Sequence, residues 1–203
     1  MPLITQPYLA QLNSWPTSGR HILAQFDDTT IVVYQAYRPS IGHFAAAHGY
    51  FGGEFSFSRM SWIKPGFLWM MARSGWATKD GQTVILAIRL QRTAFDLILS
   101  QAVHSHFISE VYASEDTWRE AVASSDVRLQ WDPDHDPYGN PCQRRALQLG
   151  LRGETLARYA REWIIGIEDI TSFVHEQHRH VLTHDEPSLV IPQERIYPTF
   201  VGD

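Results

Sequence analysis

The hydrophobic pattern of this chain changes period several times, and each change marks an element. HILAQF (21–26) and IVVYQAY (31–37) are apolar and rich in strand formers, and Asp27-Asp28-Thr29-Thr30 between them has turn chemistry. That arrangement predicts a β-hairpin. Pro39 opens a helix to about Ala47, with Gly49 just past its end. YFGGEF (50–55) reads as a loop and Arg59 to Ile63 as a short strand. Pro65 begins a second helix, PGFLWMMARS, closed by Gly75. TVILAIRL (83–90) is the clearest strand, and TAFDLILSQAV (93–103) follows as an amphipathic helix. Ser114 is placed to cap SEDTWREAVASS, whose acids fall in the first turn, where the helix dipole favours them. VRLQW (127–131) and RALQLGL (145–151) read as strands around DPDHDPYGNPCQ, a loop rich in Pro, Gly and Asp. GETLARYARE forms a helix leading into the strand WIIGIEDI, and SFVHEQHRHVL is the last helix.

Hairpins and helices are mixed here without strict βαβ alternation. The expected class is α+β: a single compact domain with a mixed or largely antiparallel sheet flanked by helices. Residues 1–19 read as an irregular lead-in, 20–185 as the domain, and 186–203, with three prolines, as an extended tail.

Composition agrees with a globular chain. Of 203 residues, 44% are hydrophobic and 19% charged, so disorder is not expected over most of the length. The single cysteine, Cys142, permits no internal disulfide. The N-terminus lacks a basic region followed by an apolar run, and the longest apolar stretch, Phe67 to Ala72, is too short to span a bilayer. A cytoplasmic protein with no membrane partner is the expectation.

Charge is unevenly spread. The chain carries −5 overall, which argues against a general nucleic-acid coat. Yet residues 59–92 hold Arg59, Lys64, Arg73, Lys79, Arg89 and Arg92 against Asp80 alone, a local +5. Such an island suits a small anionic ligand or nucleotide, with RNA as the other polyanion to consider; the plainer reading is cations scattered over the surface or paired with acids. Lys64 stands just before Pro65, at a helix start where the dipole repels a cation and attracts an anion. A phosphate or carboxylate bound there would explain it, with Arg59 and Arg73 nearby. Trp62, Trp69 and Trp76 recur every seven residues and offer faces for ring stacking. Tyr34, Gln35 and Arg38 bring hydrogen-bonding groups to the end of a strand, and Glu168 is a carboxylate on a mostly apolar one, a candidate base or charge stabiliser. The usual dinucleotide and phosphate-loop signatures are absent, as is a regular metal-ligand spacing among the histidines of VHEQHRHVLTH, so no metal is expected. Arg144 and Arg145 beside Cys142 are expected to lower its pKa.

DDTTIVVYQAY, SFSRMSWIKPGFLWMMARSGWATKDGQ, LAIRLQR, VRLQWDP and EWIIGIEDIT together resemble domain-of-unknown-function family 4291, over about His21 to Tyr197. That family carries no assigned reaction. The order of Tyr34-Gln35 and Arg38, then Ser61 or Ser74, then Glu168 is also similar to ADP-ribosyltransferase-like folds, with Gln35 where those enzymes often have His. This second resemblance implies a transferase or glycohydrolase using a nucleotide such as NAD. Arg38, Arg59, Lys64 and Arg73 would hold phosphates, Tyr34 or a Trp would stack on a ring, and Glu168 and Gln35 would act in catalysis. That requires Glu168 to face the same cleft as Lys64. The competing reading is a non-catalytic RNA- or nucleotide-binding module using the same basic aromatic patch.

Overall fold

The computed structural model describes residues 3–198. In chain order the elements are β1 (Thr5–Pro7), α1 (Tyr8–Leu12), β2 (Gly19–Arg20), β3 (Leu23–Ala24), β4 (Thr30–Tyr37), α2 (Pro39–His48), β5 (Ser61–Ile63), α3 (Phe67–Ser74), β6 (Val84–Gln91), α4 (Arg92–Ser100), β7 (Ala102–His104), α5 (Glu115–Ser124), β8 (Val127–His135), β9 (Pro141–Leu151), α6 (Gly153–Arg158), β10 (Ile164–Asp169), α7 (Thr171–Leu182), β11 (Val190–Pro192) and β12 (Arg195–Ile196). The fold is α+β, with mixed and antiparallel sheets.

Two sheets make the frame. One is antiparallel, in the order β10-β6-β4. The other is mixed, in the order β2-β9-β8-β7, with β5 also paired to β9. The first sheet is covered on both faces. Ile31, Val33, Leu86, Ile88 and Leu90 face a core that includes Leu147, Leu151, Phe95 and Tyr159. Val32, Tyr34, Ile85 and Ala87 face a second core built by α3, α7 and the chain ends. Double coverage explains why β4 and β6 read as near-continuous apolar runs. Burial of each branched side chain stabilises by roughly 1.5–3 kcal/mol, so both faces matter to folding.

Several elements differ from the sequence expectation. The segment expected to be an irregular lead-in contains β1 and α1, and β1 pairs with β11. The tail is extended, as expected, but β12 pairs with β3 and Tyr197 is buried. The hairpin at 21–37 is short: Phe26 bridges to Ile31, and Asp27 caps the turn by accepting from the N–H groups of Thr29 and Thr30. The predicted helix over 93–103 ends at Ser100, and Ala102–His104 instead runs parallel to β8. Much of the DPDHDPYGNPCQ segment is strand, leaving a turn over 136–140. The reason is partnership across the hairpin. Asp134 makes a buried ion pair with Arg144 at 2.7 Å, and Asp132 accepts from Gln130 and Gln148. Aspartates with cross-strand partners have no need to turn the chain.

The tail also supplies the start of α3. The Glu194 carboxylate accepts from the Phe67 N–H at 2.7 Å, while the Glu194 N–H donates to Gln11 and its C=O accepts from Trp15. Burial pushes the Glu194 pKa well above its ordinary 4.5, although the Phe67 N–H pulls the other way. For a raised acid, the stability contributed by the neutral form is present below pH 4.5 and lost as pH rises through the folded-state pKa. Glu194→Gln keeps the acceptor and removes the titration. The variant is expected to match wild type near about pH 4 and to melt above it near about pH 9, in thermal denaturation followed by circular dichroism. A variant melting below wild type at high pH would mean that the ionised carboxylate itself holds the helix.

Candidate functional site

β5 leaves the mixed sheet after Ile63, and the next residue crosses to the other sheet. The Tyr34 N–H donates to the Lys64 C=O at 2.7 Å, and the Lys64 N–H donates back to the Tyr34 C=O at 3.2 Å. Pro65 and Gly66 then turn the chain into α3. A cleft of about 540 Å3 opens where the end of β4, β5, α3 and the β8–β9 hairpin meet.

Three groups of side chains build its walls. The first is a closed hydrogen-bond network. The Gln35 amide oxygen accepts from Tyr159 Oη at 2.8 Å, and its nitrogen donates to Tyr37 Oη, Ser61 Oγ and the Trp62 C=O. Tyr37 Oη and Ser61 Oγ lie 2.7 Å apart. Burial drives the Tyr37 and Tyr159 hydroxyl pKa values upward, so both stay neutral.

The second group is on the hairpin. Gln130 opposes Gln148 in register, and Asp132 lies two residues on, so all three share one face. Asp132 Oδ1 accepts from Gln130 Nε2 at 2.9 Å and Oδ2 from Gln148 Nε2 at 2.7 Å. The carboxylate is thereby fixed in orientation at the cleft wall.

The third group comes from β5 and α3: Trp62, Lys64, Trp69 and Arg73. Trp62 lies across Gly150, its partner in the ladder. A Cβ on Gly150 would stand 3.0 Å from the Trp62 ring and 2.6 Å from Met60 Sδ, so this close approach requires glycine. Trp69 stacks on His135 with centroids 5.1 Å apart. Lys64 is only 5% exposed, yet its ammonium has no hydrogen bond or ion pair among the described residues. Its pKa is pushed down to about 8, first by burial and then by Arg73, with Asp132 opposing.

The structure therefore brings Gln35, Trp62, Lys64, Trp69 and Arg73 together. Gln35, expected to be catalytic, has both ends of its amide engaged by its neighbours. The acceptor found at the start of α3 is the protein's own Glu194 carboxyl group, which takes the Phe67 N–H. Arg38 and Arg59 line an adjoining depression, and Arg38 is paired with Glu54 at 2.7 Å. Tyr34 is buried in the second core. Trp76 lies there too, donating to the Pro137 C=O and stacked on His178. Glu168 is not at the cleft. Tyr34, Ala87 and Glu168 oppose one another across the first sheet, whereas Gln35 opposes Leu86. Residues in one such row share a face and adjacent residues alternate, so Gln35 and Glu168 point to opposite sides. Glu168 borders a separate depression with Arg89 and Ile165.

Sequence reasoning missed Met60, Gln82, Gln130, Asp132 and Gln148 as lining residues. The signal for the hairpin residues was present: Gln130, Asp132 and Gln148 are polar at alternate positions of strands whose other face is leucine-rich. The Cys142 expectation is corrected as well, because burial and then Asp134 raise its pKa over the opposing Arg144. Among the described residues no group of three or more His, Cys, Asp or Glu is arranged to hold a metal, and no helix is long and apolar enough to cross a membrane.

A family model described as "Domain of unknown function (DUF4291)" matches residues 21–197. The chain belongs to this family. The DUF4291 match includes every residue that lines the cleft and leaves β1, α1 and β2 outside it. Comparison with curated proteins found no match.

A depressed lysine contributes stability above pH 10.5 that is lost as pH falls through about 8. At neutral pH the Lys64 ammonium thus lowers stability, by up to about 3 kcal/mol. Lys64→Met is expected to raise the melting temperature at pH 7, with the gain shrinking in alkali. A large loss of stability instead would assign Lys64 a structural role.

Proposed function

We propose that the cleft is the active site of an enzyme acting on a nucleotide, a transferase or glycohydrolase for which NAD is the leading candidate. The observation that carries this reading is Lys64 at the cleft wall, a largely buried residue whose ammonium makes no hydrogen bond or ion pair among the described residues. A largely desolvated charge that Asp132 offsets only in part is destabilising, and an anionic ligand in the cleft would relieve it. Arg73 adds a second cation on the same wall, suited to the other oxygens of a phosphate. Trp62 and Trp69 present ring surface for a base.

Catalysis on such a ligand needs a carboxylate to steady developing positive charge or to accept a proton. Asp132 fills that role in place of Glu168, because it lines the cleft and its two oxygens are aligned by Gln130 and Gln148. Gln35 positions the Tyr37 and Ser61 hydroxyls beside the ligand.

A thermal-shift screen against NAD, ADP-ribose, ATP, GTP and short RNA tests this directly. At ligand concentrations roughly a hundredfold above Kd, a native-state binder stabilises by about 2.7 kcal/mol. A nucleotide is expected to raise the melting temperature of wild type and of Asp132→Asn, and not of Lys64→Met. Turnover of that nucleotide is expected to be lost in Asp132→Asn. A shift with RNA alone would favour a non-catalytic binding module, and no shift with any ligand would sink the nucleotide reading.

A further inference from the structure

A second depression of about 370 Å3 adjoins the cleft. Tyr37, Met60 and Ser61 line both hollows, so the paired hydroxyls of Tyr37 and Ser61 stand on the ridge between them. Beyond the ridge the surface changes character. Ile41 and Phe55 give an apolar floor, with Phe55 set edge-on to Tyr37 at 5.9 Å between ring centroids. Arg38 is neutralised by Glu54, whereas the exposed Arg59 side chain has no hydrogen bond or ion pair among the described residues. The second hollow thus offers an apolar seat, an aromatic edge and one uncommitted cation.

We propose that the substrate is a dinucleotide that crosses the Tyr37–Ser61 ridge. Its first phosphate meets Lys64 and Arg73, its second ring rests on Ile41 and Phe55, and Arg59 meets the linking phosphate. This rests on the nucleotide reading above and adds the second half of the ligand. Sizes agree: small-ligand pockets span roughly 300–1,000 Å3, so either hollow accepts a mononucleotide and the two together accept its dimer. Charge disfavours a long strand. Glu54 and Asp132 stand on the two walls, and the chain carries −5 overall.

Calorimetric titration of the full chain with AMP, NAD and a short single-stranded RNA tests the proposal, using wild type, Arg59→Glu and Ile41→Trp. Because Arg59 is exposed, its substitution leaves the fold intact even if Ile41→Trp perturbs it. NAD is expected to bind wild type at least about tenfold more tightly than AMP, as joined halves do when both find a seat. Each variant is expected to abolish that preference while AMP affinity stays within about twofold. Equal affinities for NAD and AMP in wild type, or a preference that survives both variants, would overturn the second seat and leave the nucleotide reading standing. RNA bound more tightly than NAD through Arg59 would overturn the dinucleotide in favour of a strand. Failure of every nucleotide to bind would overturn both readings.

Discussion

Tyr34 and Lys64 exchange two backbone hydrogen bonds, and through that exchange the two sheets become one frame. β5 is paired to β9 on one side, and Lys64, the residue after it, is paired to β4. The Lys64 backbone is therefore held from two directions, which fixes where its side chain leaves the main chain at the cleft. α3, which begins three residues later, is pinned in turn by Glu194 and packed by Phe67, Met70 and Met71 against the second core. These restraints together explain how a lysine without a hydrogen bond or ion pair among the described residues persists in a buried position. The strength of the surrounding frame exceeds the penalty at one side chain, which is the usual condition for strain to survive in a folded protein.

Glu194 shows how far apart the parts of this arrangement lie in sequence. The residue that meets the helix start is 127 positions from Phe67, on a tail whose strands pair with the N-terminal region. The chain ends thus stabilise the wall that carries Trp69 and Arg73, although neither end lines the cleft.

What could be read from the sequence follows from the same geometry. The helix at 39–48 and the strand at 84–91 were legible because their signals are local: proline, glycine and unbroken apolar runs. Lys64 was legible as an anomaly, since a cation before a helix start conflicts with the dipole. Its surroundings were not, because the acceptor at that helix start is a carboxyl group 127 positions away. The parity of β10 was also readable, placing Glu168 and Asp169 on opposite faces. Which face met the cleft depended on the β10–β6–β4 register, two strands away, and no local pattern encodes that. Asp132 and Asp134 were read as turn residues for a related reason: their partners Gln148 and Arg144 lie on the opposite strand. Alternating polarity along β8 and β9 held that information, but aspartate and proline spoke more loudly for a loop.

The state of the polar groups around the cleft sharpens the case for a ligand. Gln35, Tyr37, Ser61 and Asp132 have hydrogen-bond partners within the protein. Among the buried polar atoms, the Tyr34 hydroxyl, Trp69 Nε1 and His135 Nδ1 lack one. An unmet buried polar group of this kind costs about 1–3 kcal/mol. A desolvated ammonium costs more and is harder to leave in place. Lys64 and Trp69 line the same wall of the cleft, on either side of the start of α3; the Trp69 indole N–H is buried without a partner, and the Lys64 ammonium makes no hydrogen bond or ion pair among the described residues. On the proposed reading, a ligand's acceptors would meet the Lys64 ammonium from the open side of the cleft. Phosphate oxygens would supply acceptors and negative charge at once to Lys64 and Arg73, whereas a neutral ligand would supply the acceptors alone and leave both charges unmatched.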